Sequence, residues 1–382
     1  THIVEELSRL VKSGALTPCE YVNVESEFAA MSMCIGASAA GARTYTATAS
    51  QGLLYMVEAL YNASGLGLPI VMTVANRAIG APINIWNDHS DTMSQRDSGW
   101  IQLYARDNQE AADLHPQAFR LAEELSLPVM VCMDGFVLTH AWERIEVPER
   151  AQVDAFLPPY DPRQVLDPDE PVSIGAMVGP DAFTEVRYLA HAKQMQALEA
   201  IPRVAAEFRD IFGRSSGGLV HPYACEDAET IVVVLGSVFG TVCDVVDEMR
   251  GRGVPIGALA ITSFRPFPLD AVRTVLQRAR QVVVLERALA VGIGGIVSAN
   301  VRTALSGIQL DGHTVVAGLG GRPITKESLH RLFDDAIAGR LEQLTFLDLD
   351  TGLVERELAR MAKTRRSGPS AENILRDVGS NR

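Results

Sequence analysis

Apolar runs that end in small polar residues and open straight into helical patterns recur along this chain. Pro69 to Ala75 runs into Asn76-Arg77-Ala78, and Pro128 to Met133 runs into Asp134-Gly135-Phe136. Thr44-Tyr45-Thr46-Ala47-Thr48 runs into Ala49-Ser50-Gln51-Gly52, and the strand-like Tyr21 to Val24 into Glu25-Ser26-Glu27. Ile70 to Val74 and Val129 to Met133 are almost continuously apolar, as strands buried on both faces must be. Alternation of that kind predicts a doubly wound α/β fold, a parallel sheet with helices on both sides. Open sheets of this type bind ligands outside the carboxyl ends of their strands. The four run-ends therefore predict one edge where a carboxylate, an arginine and several small polar side chains meet.

The alternation occurs twice. Between the two stretches, residues 145–181 carry Pro148, Pro158, Pro159, Pro162, Pro168, Pro171 and Pro180, which predicts an irregular arm. A segment this long is expected to act as an assembly element against a neighbour, with a lid as the alternative. Ala182 to Phe212 reads as one or two helices broken near Pro202. Beyond Gly217-Gly218 and Pro222 a second series begins with the buried strand Thr230 to Leu235, ending in Gly236-Ser237. Helix 238–251, strand 255–261, helix 269–279, strand 281–286, helix 295–306 and strand 313–317 complete it. The expected division is 1–225 with the arm and a helical extension, 226–345 as a second α/β domain, and 346–382 as a C-terminal helix and tail. The polar tail beyond about Arg365 is expected to be mobile.

Bulk properties exclude several functions. A net charge of −13 and a pI near 5.1 argue against a nucleic-acid partner, which requires a basic face. No apolar run approaches the ~20 residues that span a bilayer. Thr1 to Leu7 reads as the start of an amphipathic helix rather than a signal peptide. The chain opens without Met, and an N-terminal segment is expected to precede it. The five cysteines, Cys19, Cys34, Cys132, Cys225 and Cys243, form no Cys-x-x-Cys pair, so no zinc or iron–sulfur site follows from them. Cys34, Cys132 and Cys243 lie on apolar faces, as small buried hydrophobes in a reducing cytoplasm would.

The chemistry-bearing residues admit two readings each. Glu27 opens a helix of small residues, Ala29 to Ala42, that lets a flat ligand or another backbone approach; alternatively it is a first-turn Glu held by the helix dipole, with Ser26 as N-cap. Glu25 is expected to turn away from Glu27, because strand neighbours alternate faces. Arg77, at a strand end beside small residues, suits capture of a carboxylate or phosphate; a structural ion pair is the alternative. His89 could be a base or a metal ligand, or part of a polar loop tied by Asp88, Ser90 and Asp91. Gly292-Ile293-Gly294-Gly295 and Gly318-Leu319-Gly320-Gly321 lack dinucleotide-fingerprint spacing and read as tight turns. No P-loop or H-E-x-x-H occurs.

Val24-Glu25-Ser26-Glu27, Ser50-Gln51-Gly52-Leu53 and above all the stretch from Asn76 to Asp91 (NRAIGAPINIWNDHSD) resemble the alpha subunit of pyruvate:ferredoxin oxidoreductases. So do Arg96-Asp97-Ser98-Gly99-Trp100, Asp134-Gly135-Phe136, Ser263-Phe264-Arg265-Pro266-Phe267-Pro268 and Gly318 to Arg322. The resemblance implies a thiamine-diphosphate pyrimidine-binding domain followed by a domain like the C-terminal one of transketolase. It implies Glu27 as the carboxylate facing the cofactor pyrimidine, and Arg77 as the group that binds the substrate carboxylate.

The implied reaction is oxidative decarboxylation of pyruvate to acetyl-CoA and CO2, with electrons passed through [4Fe-4S] clusters of partner subunits to ferredoxin or flavodoxin. A Gly-Asp-Gly diphosphate-and-magnesium motif is absent, so a beta subunit is expected to supply that side of thiamine diphosphate, and gamma- or delta-type subunits the remaining clusters. The family's Tyr-Pro-Ile-Thr-Pro motif would precede Thr1, so its Thr has no counterpart here. Rival readings are an alpha subunit for another 2-oxoacid, a non-catalytic interaction subunit of the same fold, and a beta chain of a thiamine-dependent dehydrogenase complex, which would lack the 76–91 stretch.

Overall fold

A computed structural model of the chain describes residues 2–364 and 371–379. Of the tail expected to be mobile, residues 371–379 form a helix and the rest lies outside the described residues. The first half contains α1 (His2–Lys12), α2 (Glu27–Ala39), β1 (Thr44–Thr48), α3 (Gln51–Tyr55), α4 (Val57–Gly65) and β2 (Ile70–Asn76). It continues with α5 (Ser90–Ser94), β3 (Ile101–Tyr104), α6 (Asn108–Leu125), β4 (Val129–Asp134), α7 (Arg150–Phe156) and α8 (Pro180–Phe212). The second half carries β5 (Val220–Tyr223), β6 (Thr230–Val234), α9 (Val238–Arg250), β7 (Ile256–Ile261), β8 (Ser263–Arg265), α10 (Leu269–Leu276) and β9 (Gln281–Glu286). After it come α11 (Val297–Ala304), β10 (Asp311–Val316), α12 (Lys326–Ile337), β11 (Leu344–Phe346), α13 (Thr351–Thr364) and α14 (Ala371–Gly379).

Two sheets result. The first has the order β1-β2-β4-β3-β8, with β1 to β4 parallel and β8 antiparallel to β3. The second has the order β11-β10-β9-β6-β7-β5, parallel except for β5. The alternation thus gives the doubly wound architecture the apolar runs predict. Strand β8, contributed by the second half, adds to the first sheet, and Tyr104 N donates to Thr262 O at 2.7 Å just before it. One apolar cluster accordingly runs from Leu53, Met72, Trp100 and Met130 to Leu259, Phe264, Val284 and Val301. The two sheets share a core.

Several local expectations need correction. Tyr21 to Val24 pairs with no strand and is irregular, with Val22 55% exposed, so only three of the four run-ends are strand ends. Neither Glu25 nor Glu27 is therefore on a strand; both are exposed. The proline-rich arm is not wholly irregular. α7 fits between Pro148 and Pro158, and a reciprocal capping box of Glu149 and Gln152 starts it. α8 is one helix through Pro202, not two. Its 33 residues would extend ~50 Å. Ala197, Ile201, Val204 and Phe208 on both sides of the proline pack with Leu114, Ala118 and Leu121 of α6, so burial holds the helix together where propensity alone would break it. Cys34 and Cys132 are buried as expected, whereas Cys243 is only half-buried.

Candidate active site

The register aligns the strand ends that make the edge. Thr48 pairs with Val74, and Asn76 with Asp134, so the loops after β1, β2 and β4 leave the sheet side by side. Ser26 caps α2 by accepting from Ala29 N at 3.2 Å, which places Glu27 in the first helical turn. Glu27 is the residue next to the opening of α3. A Cβ on Gly52 would come within 2.9 Å of Glu27 Cγ and Oε1, and 2.6 Å of Thr48 Oγ1. Only a glycine permits that approach. The Glu27 carboxylate makes no hydrogen bond or ion pair among the described residues, so the dipole-and-cap reading explains its position but not its freedom.

Arg77 ends β2. Its backbone N donates to Asp91 Oδ2 at 2.9 Å, and its Cγ lies where a Cβ on Gly135 would come within 2.9 Å. The guanidinium forms no ion pair among the described residues, and Nε is buried without a hydrogen-bond partner. That disposes of the structural ion pair and leaves a planar donor fork beside a strand end.

His89 is neither an open base nor a metal ligand. It is 2% exposed, packs edge-on against Tyr104, and its Nε2 donates to Asp134 Oδ1 at 2.6 Å. Asp134, the last residue of β4, also accepts from Ser237 N at 2.9 Å and Arg287 Nη1 at 2.8 Å, and from the Ser237 hydroxyl. Against the cost of burial, the His89 ring and the Arg287 guanidinium hold its carboxyl well below the usual carboxylate range. The network ties the first sheet's edge to the ends of β6 and β9. His89 was read partly correctly from sequence, as a member of a tied polar loop; its main partner, 45 residues away, could not be.

The loop between Arg77 and His89 docks on the second half. Asn84 Nδ2 donates to Gly320 O at 3.1 Å, Gly320 N donates to Asp88 Oδ2 at 3.2 Å, and a Cβ on Gly321 would strike Trp86 Cβ at 2.4 Å. Gly318 to Gly321 is thus a turn shaped to receive this loop. At the other glycine run, Glu286 fills the amino end of α11, accepting from Ile296 N, Val297 N and Ser298 N at 2.6, 2.8 and 3.2 Å. Those three amides are taken by Glu286, and both runs are turns.

The edge fits half of a thiamine-diphosphate site. An unpartnered carboxylate beside a glycine suits the cofactor pyrimidine, and an orphaned arginine suits an anionic substrate. No Gly-Asp-Gly occurs in the sequence, and no group of three His, Cys, Asp or Glu is placed to hold a metal among the described residues. Fold and site together define a thiamine-type α/β chain.

The comparisons specify it. A family model described as pyruvate flavodoxin/ferredoxin oxidoreductase, thiamine diphosphate-binding, matches residues 1–206, and one described as pyruvate:ferredoxin oxidoreductase core domain II matches 228–329. The chain belongs to the pyruvate:ferredoxin oxidoreductase family, as the alpha subunit of that multisubunit oxidoreductase. Pyruvate synthase subunit PorA of Methanosarcina barkeri is 47% identical over 365 residues, covering 93% of this chain and 90% of the relative. Ketoisovalerate oxidoreductase subunit VorA of Pyrococcus horikoshii is 36% identical, covering 88% of this chain and 86% of its own length. A solved structure of 2-oxoglutarate:ferredoxin oxidoreductase from Magnetococcus marinus matches with a TM-score of 0.62 at 19% identity. That match covers 86% of this chain but 59% of the other, and shows a shared fold.

Proposed function

We infer that this chain supplies the pyrimidine side of the thiamine-diphosphate site in a cytoplasmic, CoA-acylating pyruvate:ferredoxin oxidoreductase. When bound, the cofactor supplies the nucleophilic carbon and electron sink for decarboxylating a 2-oxoacid. Glu27 holds a proton at the pyrimidine N1′, and Arg77 fixes the pyruvate carboxylate through its fork. The observation that carries this reading is the pair of unsatisfied groups on one sheet edge, the Glu27 carboxylate and Arg77 Nε. A non-catalytic chain would have no use for either.

A beta subunit completes the site with the diphosphate and magnesium ligands. Exposed apolar residues on the loops leaving this edge, Ile83 at 80%, Ile85, Trp86, Phe136 and Val137, support a partner there. The [4Fe-4S] clusters lie in partner subunits, which pass electrons to ferredoxin or flavodoxin while the acetyl group goes to coenzyme A. The arm from 145 to 181 serves assembly. Its later part supports this: Leu166 N donates to Ala39 O and Pro158 O accepts from Arg43, at the amino ends of the strands and away from Arg77.

The test is reconstitution. The chain co-purified with its partner subunits is expected to oxidise pyruvate with coenzyme A and a viologen acceptor in preference to other 2-oxoacids. The isolated chain is expected to be inactive and to show no tight, magnesium-dependent thiamine-diphosphate binding by calorimetry. Tight binding to the chain alone would overturn the shared-site reading, and preference for a branched 2-oxoacid would overturn pyruvate.

A further inference from the structure

One carboxylate underlies both halves of the edge. Asp91, in α5, is fully buried. Its Oδ2 accepts from Ser50 N at 3.0 Å and from Arg77 N at 2.9 Å. Its Oδ1 accepts from Asn76 Nδ2 and Thr92 N, both at 2.8 Å. Ser50 and Arg77 follow adjacent parallel strands, so a single oxygen joins the exit of β1 to the exit of β2. The first exit leads within two residues to Gly52, the seat of Glu27; the second carries the arginine itself.

We propose that Asp91 is a positioning residue, which sets the separation of the Glu27 carboxylate and the Arg77 guanidinium by pinning both strand exits to one oxygen. The proposal rests on the roles assigned above to Glu27 and Arg77. Three observations favour it over a purely structural role. Asp91 touches no other charged side chain, so it does not serve an ion pair; its four donors are two strand-exit amides, one side-chain amide and its own neighbour's N–H. Ser50 sits at φ 53°, a conformation a non-glycine residue adopts only when its surroundings impose it, and Asp91 is what holds its amide. Burial also pushes the Asp91 carboxyl up to about 6 despite those four donors, so the group is held at a cost to folding that an apolar residue would avoid. Groups retained against stability at the rim of a site are those whose geometry matters.

The experiment compares variants in the complex assembled with its partner subunits. Because misplacement by ~1 Å can cost as much as ~100-fold, Asp91→Ala is expected to lower kcat and raise the pyruvate KM, each by about tenfold. Glu27→Gln is expected to move kcat chiefly and Arg77→Lys the KM chiefly, so Asp91→Ala alone moves both. The amount of complex and its thiamine-diphosphate content, measured on the same preparations, separate this from partial unfolding, which lowers kcat in proportion to complex and leaves KM alone. Asp91→Asn can keep an oxygen on the Ser50 and Arg77 amides while Asn76 turns its unpartnered Oδ1 toward the new amide, and is expected to restore most of the activity. If Asp91→Ala does not assemble, Asp91→Glu decides: it keeps the charge and displaces both exits, and is expected to show the same double effect at about threefold. Asp91 variants within about twofold of wild type on both constants, beside impaired Glu27→Gln and Arg77→Lys, would overturn this proposal alone. Unimpaired Glu27→Gln and Arg77→Lys would overturn the reading beneath it, and the proposal with it.

Discussion

Two glutamates of this chain stand next to the start of a helix, and they are used in opposite ways. Glu286 ends β9, is 2% exposed, and spends its oxygens on three backbone N–H groups of α11. Glu27 opens α2, is exposed, and spends its oxygens on nothing among the described residues. The sequence context is similar, since each acid lies beside small residues and a helix. What differs is saturation. A carboxylate with both oxygens taken by its own backbone is a cap, whereas an unsatisfied one at a rim is available to a ligand. The same contrast separates Arg287, whose guanidinium pairs with Asp134, from Arg77, whose guanidinium forms no ion pair among the described residues.

Asp134 is where the open and the closed edges meet, so its loss has the largest expected effect. Asp134→Asn leaves Arg287 and His89 facing a neutral amide in the interior. A buried pair broken on one side costs about 3–5 kcal/mol, to be read as a lowered denaturation midpoint. The pH dependence has a definite sign. Asp134 is held below the usual carboxylate range in the folded chain, so its stabilisation is complete above that range and is lost as pH falls through it. The gap between wild type and variant should therefore narrow in acid. A gap that widens in acid would mean the Asp134 network is not what joins the edges.

Exchanging amide for carboxylate at the two glutamates tests the comparison directly. Glu27→Gln is expected to slow the assembled enzyme by at least ~100-fold, as when a preorganised electrostatic group is lost, with thermal stability unchanged. Glu286→Gln should do the reverse: a loss of about 1–3 kcal/mol of stability, from a nitrogen turned toward backbone donors, with kcat per folded complex unchanged. If both variants lost stability, or both lost turnover alone, the open and closed edges would not be distinct.

How much of this could be read beforehand follows from the range of the interactions. β2, β4, β6, β7 and β9 are continuous apolar runs and legible as such. β3 and β8, four and three residues long, form only because distant partners exist, and nothing local marks them. Tyr21 to Val24 fails for the converse reason: its residues suit a strand, but no neighbour pairs with them. The capping box of α7 was present in the sequence, hidden by the prolines around it. In the proposed site, Glu27 and Arg77 stand out through their motifs. Asp91 was legible only as a tie within its own loop, because its link to Ser50 spans 41 residues and has meaning only once β1 and β2 are known to be neighbours.

The smallest effect expected, and the finest test of the open edge, is Arg77→Lys. Lysine keeps the positive charge at the end of β2 and leaves the Arg77 N to Asp91 bond intact, since that bond is made by the backbone. It loses the planar fork and the buried Nε donor, which has no partner among the described residues. A carboxylate held by two parallel N–H groups would then be held by one, at a cost of roughly 1.5 kcal/mol, or about tenfold in pyruvate KM. The kcat should change much less, because the lost contact serves the substrate carboxylate both before and during reaction. Gly135 offers an independent check from the other side. A methyl at that position would meet the backbone oxygen of Asn76 at 2.6 Å and Arg77 Cγ at 2.9 Å, so Gly135→Ala should displace the end of β2 together with Arg77 and raise the same KM without altering any charge. If Arg77→Lys left the pyruvate KM at its wild-type value while Glu27→Gln abolished turnover, the orphaned Nε would serve something other than the substrate, and only half of the open edge would be catalytic.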